Sequence, residues 1–188
     1  MIDAAWFLEA PPAEISAAPV ILRRSSRADT DALVEAVNAS LEHLRPWMLW
    51  AQVAATTESI GSFLAGADAS WDARTEFQYL ITEAGSPTIL GCCGLHARLG
   101  IGALEIGYWV HVGHVRRGLA STAAGALTSA GLRLPGMSRM EIHCDAANRA
   151  SAGVPRRLGY RLDRIENRPP TAPGETGALL IWVYEPPA

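Results

Sequence analysis

Residues 105–123 combine a strand pattern, a turn with two glycines and two arginines in an order that suits a phosphate ligand. The strand pattern runs into a turn that contains Gly113 and Gly118, and a helix pattern follows directly. At such a junction unpaired backbone N–H groups and the positive end of the helix dipole converge and can cradle an anion. Arg116 and Arg117 add positive charge. The segment therefore favours a phosphate or diphosphate ligand, and a helix that simply follows a strand is the alternative.

Other chemical motifs are missing from the sequence. Neither G-x-x-x-x-G-K-[ST] nor G-x-G-x-x-G occurs, so the turn is not expected to be an ATP-type or dinucleotide-binding loop. Neither C-x-x-C nor H-E-x-x-H occurs, and we expect no metal. The three cysteines, Cys92, Cys93 and Cys144, cannot form a paired framework. We expect them to be thiols buried on strands of a cytosolic protein.

Composition narrows the class of protein. The chain has 188 residues, 49% of them apolar, and a formal net charge of −3, which predicts one soluble domain rather than a repeat array or a disordered tail. All 16 basic residues are arginines in isolated positions or pairs. Nucleic acids and membrane surfaces require clustered cations, so neither is an expected partner. Residues 1–20 resemble neither a signal peptide nor a membrane span, and we expect a cytoplasmic protein.

The periodicity of the chain predicts one mixed α/β domain over residues 19–188, preceded by an Ala/Pro-rich N-terminal extension over residues 1–18. The predicted order is strand, two helices, three strands, helix, strand, helix and two strands. The helix over residues 119–132 is rich in small residues, which permit close packing on a sheet. The loop at 166–177 is long enough to require a functional explanation.

Four motifs occur at coupled spacing along the chain: E-I-G-Y-W-V (105–110), R-G-L-A (117–120), E-I-x-C-D-x-x-N-x-A-S (141–151) and R-L-G-Y (157–160). Together they resemble the GNAT superfamily of acyl-CoA-dependent N-acyltransferases, in its RimJ/RimL branch. The segment L-R-P-W-M-L-W (44–50) is also similar to that branch. The likeness covers about residues 20–184. It implies a splayed mixed sheet flanked by helices, with acetyl-CoA between the strand that ends near Val112 and the strand at 140–144.

The resemblance also implies which residues hold acetyl-CoA. Backbone groups of Val110 and Val112 should pair with the pantetheine amides, and Asn148 should contact the pantetheine arm. The other implied cofactor-binding residues lie in the turn and the first helical turn after it: His111, Val115, Arg116, Arg117, Gly118, Leu119, Ala120 and Ser121.

The chain departs from the family pattern at three positions. The family prefers Arg or Gln at Val115 and often has Gly at Arg116, so one polar contact is missing and one flexible residue is replaced. Arg116 could compensate with its charge. Pro155 follows Asn148 by seven residues and should kink the helix that carries Ser151, because proline removes a helical hydrogen bond.

Acyl transfer to an amine needs a neutral nucleophile, a polarised thioester carbonyl and a leaving thiolate. Glu105 shares a strand face with Trp109 and is the candidate general base, with a structural role as the alternative. Ser151 follows Asn148 by one helical turn, where the family places a hydroxyl near the sulfur. It is the candidate proton donor, with helix capping as the alternative. The backbone N–H of Val110 is expected to hold the carbonyl oxygen.

The remaining reactive side chains are weaker candidates. His96 has a side chain that can act as a base, but no motif supports that role. His114 lies in the phosphate turn and is expected to face solvent or phosphate rather than act as a base. Cys93 and Cys144 are not expected to act as acyl-enzyme nucleophiles, because direct transfer needs no covalent step.

The acceptor is the least determined part of the prediction. Trp47, Trp50 and Trp109 either pack in the core or wall an acceptor pocket, with the loop at 166–177 as its lid. The acceptor would be a primary amine on a ribosomal or other protein N-terminus, or on a small molecule. Two alternatives stay open: a larger donor such as succinyl-CoA, and a non-catalytic CoA-binding module of the same fold. We expect a monomer or a homodimer.

Overall fold

The structure is a computed structural model that describes residues 9–186 except Ala84 and Pro87. Within this described part the chain forms eight strands and four α-helices. The strands are β1 Glu14–Ala17, β2 Val20–Arg24, β3 Glu76–Glu83, β4 Ile89–His96, β5 Ala103–Val110, β6 Arg139–Asp145, β7 Arg161–Asn167 and β8 Ala178–Tyr184. The helices are α1 Thr30–Leu44, α2 Thr57–Asp72, α3 Leu119–Leu132 and α4 Arg149–Arg157. None of these helices is long and apolar enough to cross a bilayer.

All eight strands belong to one mixed sheet, in the order β1-β2-β3-β4-β5-β6-β8-β7. The first five strands are antiparallel neighbours, and the last three of these are the three consecutive strands that the sequence predicts. β5 and β6 run parallel and pair only at their beginnings, from Ala103 opposite Arg139 to Glu105 opposite Glu141. Beyond that point the two strands part. The predicted splayed mixed sheet is therefore confirmed, and its opening lies where the motifs placed it.

Two helices cover each face of the sheet. On one face, α1 and α2 bury an apolar stripe that includes Leu33 and Leu64. On the other face, α3 lies close to the sheet because its inner residues are small: Ala123 and Ala124 are fully buried. The approach is so close that a Cβ on Gly131 would lie 2.6 Å from Met140 Cε. The small-residue stripe of α3 thus sets the distance between this helix and the sheet.

Two boundaries differ from the predicted ones. Residues 1–18 were expected to precede the domain, but β1 pairs antiparallel with β2, and Ile15 lies opposite Leu22. Four residues of the predicted extension are therefore a sheet edge, and residues 1–8 lie outside the described part. The spacing of Ile60, Phe63 and Leu64 predicts a second helix over residues 57–65, but α2 continues to Asp72. Its last turns carry mostly small residues, and they are fixed by Trp71, which packs against Phe77 and Tyr79.

Candidate active site

The central feature of the site is the gap between β5 and β6. Beyond Glu105 and Glu141 a cavity of about 390 Å³ separates the strands, and α4 borders it. Directly after β5, the N–H of His111 donates to the Leu90 carbonyl of β4 at 2.8 Å. Successive peptide groups of a strand point to opposite sides, so the N–H and C=O of Val110 point into the gap. The gap therefore offers backbone donors and acceptors to a ligand that lies between the strands.

An anion cradle follows the end of β5. Arg116 and Gly118 both have left-handed backbone angles, with φ of 61° and 79°. Gly118 is the residue before α3, and the first N–H groups of a helix have no acceptor within the helix. These N–H groups and the left-handed turn form a concave surface that suits phosphate oxygens. The predicted strand, turn and helix junction is present in this form.

Charged and polar side chains surround the cradle. Arg117 lies 2.8 Å from His114 Nδ1, and Arg157 of α4 donates to Ser121 Oγ at 3.2 Å. Burial and the nearby His114 lower the pKa of His111. Arg117 and Arg157 bring positive charge to the cradle. Arg157 was not among the predicted site residues. Only the packing of α4 against α3 brings it to this position.

One predicted cofactor contact is altered by the structure. The N–H of Val112 donates to Ser40 Oγ on α1 at 3.0 Å. This N–H is therefore already used, and only the Val112 carbonyl could meet a pantetheine amide. The reason is a turn of 3₁₀ helix over Val112–His114, which directs the chain away from β6 and toward α1.

The hydroxyl of Ser151 lies beside the gap. Asn148 precedes α4 and its Oδ1 accepts from the Ser151 N–H at 3.0 Å, so Asn148 caps the helix. Ser151 Oγ lies 3.1 Å from Tyr108 Oη of β5. The helix continues through Pro155 to Arg157. The cap and the phenol together hold the Ser151 hydroxyl at the wall of the gap.

Glu105 lies at the point where the strands part. Arg98 donates to both of its carboxylate oxygens, at 2.7 and 2.6 Å, and His143 Nδ1 lies 3.6 Å from Glu105 Oε2. Burial opposes ionisation, but the Arg98 hydrogen bonds and the nearby positive charges outweigh it and lower the pKa of Glu105. The carboxylate is therefore charged at neutral pH. It would hold a proton weakly.

His143 is part of a larger charged cluster on β6. Its Nε2 lies 2.5 Å from Glu141 Oε2, and Arg139 contacts Glu141 at 2.6 Å. Sequence reasoning singled out Glu105 and missed its partners Arg98 and His143. No local pattern marks them, because they meet Glu105 only through sheet pairing and the turn after β4.

A second cavity of about 880 Å³ lies on the α1/α2 face of the sheet. Its wall includes Trp47, Trp50 and Trp109, and the Trp50 and Trp109 rings are 6.2 Å apart and tilted by 55°. This cavity and the gap share wall residues such as Gly107 and Tyr108. The structure thus places all three predicted tryptophans around one aromatic cavity that adjoins the gap.

The comparison with known proteins decides the family. The model of the acetyltransferase (GNAT) domain matches residues 20–161, which is most of the chain. The chain belongs to the GNAT acetyltransferase family. No curated protein matches its sequence.

Several solved structures share this acetyltransferase's fold at low sequence identity. RimL, a ribosomal L7/L12 alpha-N-protein acetyltransferase solved with coenzyme A, has 21% identity and a TM-score of 0.81, and the match covers 94% of this chain and 98% of RimL. RimJ of Mycobacterium smegmatis, solved with CoA-disulfide, has 21% identity and a TM-score of 0.79, covering 98% and 90%. The microcin C7 self-immunity acetyltransferase MccE, solved with acetyl-CoA and AMP, has 16% identity and a TM-score of 0.81, covering 89% and 93%.

The loop between β7 and β8 forms a strap over both cavities of this acetyltransferase. At one side, the Gly174 N–H donates to the Pro46 carbonyl at 2.8 Å. At the other, Asp145 accepts from the N–H of Thr176 at 3.0 Å and of Gly177 at 2.9 Å. Burial opposes the ionisation of Asp145, but these hydrogen bonds lower its pKa. The segment expected to be a lid is therefore held by hydrogen bonds on both sides.

The other reactive side chains have structural partners. His96 Nδ1 lies 3.2 Å from Glu76, and all three cysteines are buried on strands, as predicted. Burial raises the pKa of Cys93 and of Cys144, so neither is a ready thiolate. Among the residues that the structure describes, no group of three or more His, Cys, Asp or Glu side chains is arranged to hold a metal ion.

Proposed function

We propose that this acetyltransferase moves an acetyl group from acetyl-CoA directly to a primary amine. One observation carries the proposal: the gap borders a hydroxyl group on α4 and an aromatic cavity, and β5, which lines the gap, leads directly into the turn before α3. These are the places that a phosphate-bearing thioester, its sulfur and an acceptor amine require. RimL and MccE, which share the fold, were solved with coenzyme A and acetyl-CoA respectively.

The donor would be held mainly by the backbone. The cradle residues from Val115 to Ser121 would bind the pyrophosphate, and Val110 would pair with the pantetheine and hold the thioester carbonyl. Asn148 supports this arrangement by capping the helix next to the gap. Val115 supplies no polar side chain, but the N–H groups at the start of α3 are retained. The departures from the family pattern therefore leave the cradle's geometry in place.

The acceptor amine would enter from the aromatic cavity and meet Glu105, which we propose as the proton acceptor, directly or through a water. Because the lowered pKa of Glu105 makes it a weak base, it is best suited to an amine that is already partly neutral. An α-amine with a pKa near 8 is about one-tenth neutral at pH 7, whereas a lysine-type amine near 10.4 is neutral in about one molecule in a few thousand. Both a protein N-terminus and a small-molecule amine of low pKa fit this requirement.

Ser151 is the proposed donor to the leaving sulfur. A thiol with a pKa near 8.5 leaves readily as thiolate, so a hydrogen bond from the Ser151 hydroxyl is sufficient to assist it. No covalent enzyme intermediate is needed, and the raised pKa of Cys144 in the wall of the gap agrees with this.

The arrangement of arginines favours acetyl over succinyl as the transferred group. Arg98 is paired with Glu105, and Arg168 lies 3.6 Å from Glu175. A succinyl carboxylate would have to compete with these partners. Three buried, unpaired cysteines are typical of proteins in a reducing compartment, which supports a cytoplasmic location. We propose a monomer or homodimer.

The proposal is tested first by calorimetric titration of acetyl-CoA and CoA. We expect binding by the wild type, weaker binding by Gly118→Ala and none by Gly118→Glu. Both variants put a Cβ at a left-handed position, and only the second adds a negative charge to the cradle. Release of free thiol with a panel of amines follows. Binding without amine-dependent release would favour the non-catalytic module, and no binding would refute the proposed site.

A further inference from the structure

The first turn of α4 contains a backbone carbonyl that its own helix cannot satisfy. In an α-helix the carbonyl of one residue accepts from the N–H four residues later. Four residues after Ser151 stands Pro155, which has no N–H. The hydroxyl of Tyr108 fills the vacant position, because its Oη lies 3.1 Å from the Ser151 carbonyl oxygen. A side chain of β5 thus replaces an amide that α4 lacks.

The same phenol contacts the Ser151 side chain, with Oη 3.1 Å from Oγ. A carbonyl oxygen can only accept, so the single proton of Tyr108 is committed to it, and the Ser151 hydroxyl donates the second bond. Burial raises the pKa of Tyr108, which keeps the phenol protonated. Asn148 holds the Ser151 N–H. Ser151 is therefore fixed at three atoms: its N–H, its carbonyl and its hydroxyl oxygen.

We propose that Tyr108 is a positioning residue for Ser151, and that Pro155 makes this possible by leaving the Ser151 carbonyl free. Tyr108 ties α4 to β5 across the gap. In the resting state it holds the Ser151 hydroxyl at the gap. A rotation about the Cβ–Oγ bond then exchanges the hydrogen bond to Tyr108 for one to a leaving thiolate. The catalytic part of this inference rests on the proposed function, and the packing part does not.

The activity test uses Tyr108→Phe, which keeps the ring and removes the hydroxyl. We expect kcat to fall roughly 10- to 100-fold, because misplacement of a reacting group is costly, while the KM for acetyl-CoA stays within about twofold. In a Ser151→Ala background the same change should alter kcat by less than about twofold, since Tyr108 acts through Ser151. Equal losses in both backgrounds would show that Tyr108 acts independently, and would overturn the proposal.

The role of Pro155 is tested by Pro155→Ala, which restores an N–H for the Ser151 carbonyl. Tyr108→Phe should lower Tm by roughly 2–8 °C in the wild type, because it leaves a half-buried carbonyl without its protein partner. In the Pro155→Ala background we expect less than half of that shift and a partial recovery of kcat. Equal Tm shifts in the two backgrounds would contradict the role of Pro155. This measurement needs no turnover, so it decides the packing even if amine-dependent release is absent.

Tyr79→Phe is the matched control. Tyr79 is buried on β3, outside both cavity walls, and its hydroxyl donates to the Pro12 carbonyl at 2.8 Å. The change removes the same phenol-to-carbonyl bond far from the gap. We expect a lower Tm and a kcat within about twofold of the wild type. A kcat loss as large as that of Tyr108→Phe would mean that general destabilisation explains both variants.

Discussion

Arg116 adopts a backbone conformation that glycine reaches at much lower cost. Its φ of 61° lies in the left-handed region, which costs a residue with a Cβ roughly 1–2 kcal/mol. Its side chain is exposed at the cradle, so replacement sacrifices no core packing. Arg116→Gly removes the left-handed cost and adds about 0.4–1 kcal/mol of unfolded-chain entropy. The net expectation is a stabilisation of about 0.5–1 kcal/mol, or a Tm increase of roughly 1–4 °C.

The same change should weaken acetyl-CoA binding, because it removes a positive charge beside the cradle. An exposed charge contributes modestly, so we expect Kd to rise roughly two- to fivefold at low salt and less at high salt. Scanning calorimetry measures Tm, and titration calorimetry measures Kd at two salt concentrations.

Arg116→Ala is the control that separates backbone strain from charge. Alanine lacks the charge but keeps a Cβ, so its Kd should match that of Arg116→Gly while its Tm stays near the wild-type value. The reasoning is refuted if Arg116→Ala stabilises the protein as much as Arg116→Gly, or if Arg116→Gly lowers Tm. Unchanged Kd in both variants would show that the cradle acts through its backbone alone.

Three further predictions address the strap, the base and the acceptor cavity. Asp145→Asn should cost about 1–3 kcal/mol at pH 7. Folding lowers the pKa of Asp145, so its ionised form stabilises the folded protein above pH ~4. The difference in Tm between wild type and Asp145→Asn should therefore narrow as pH falls below that value. A difference that does not change with pH would contradict this. Arg98→Gln should raise the pKa of Glu105, because burial then acts unopposed by its main partner, and shift the acid limb of the pH–rate profile upward. An unmoved limb would exclude Glu105 as the titrating base. Trp50→Ala should raise the KM for the amine about 5- to 10-fold, measured by initial-rate kinetics, and leave the acetyl-CoA Kd, measured by titration, unchanged. A changed acetyl-CoA Kd would instead place Trp50 in the donor site.

Local patterns in the chain account for much of the fold. The four motifs occur at spacings that require a strand, a tight turn and a helix in fixed order, and α3 begins and ends at the predicted residues Leu119 and Leu132. These segments are predictable from sequence because their glycines, arginines and small residues determine the structure of their immediate neighbours. Asn148 was predicted only to contact the pantetheine arm, with capping considered for Ser151. The structure shows that Asn148 caps the helix that follows it.

Other boundaries were not predictable in this way. β1 is only four residues long and lies among prolines, and it becomes a strand because β2 offers it a partner. The last turns of α2 consist mainly of small and polar residues, and they are held by Trp71 against β3. In both cases a contact with a distant segment outweighs weak local preference.

The amino-acid sequence by itself determined the family, the order of the elements from β2 onward, the strand–turn–helix junction before α3 and the candidate residues Glu105 and Ser151. Only the tertiary structure decided the hydrogen-bond partners and the pKa values of these residues. Ser151 meets Tyr108 from 43 positions earlier in the chain, and the strap is fastened to Asp145 from 31 or 32 positions later. Hydrogen bonds and pKa values depend on distances of a few ångströms between such segments, and those distances are set by how the sheet parts and how the helices pack on it.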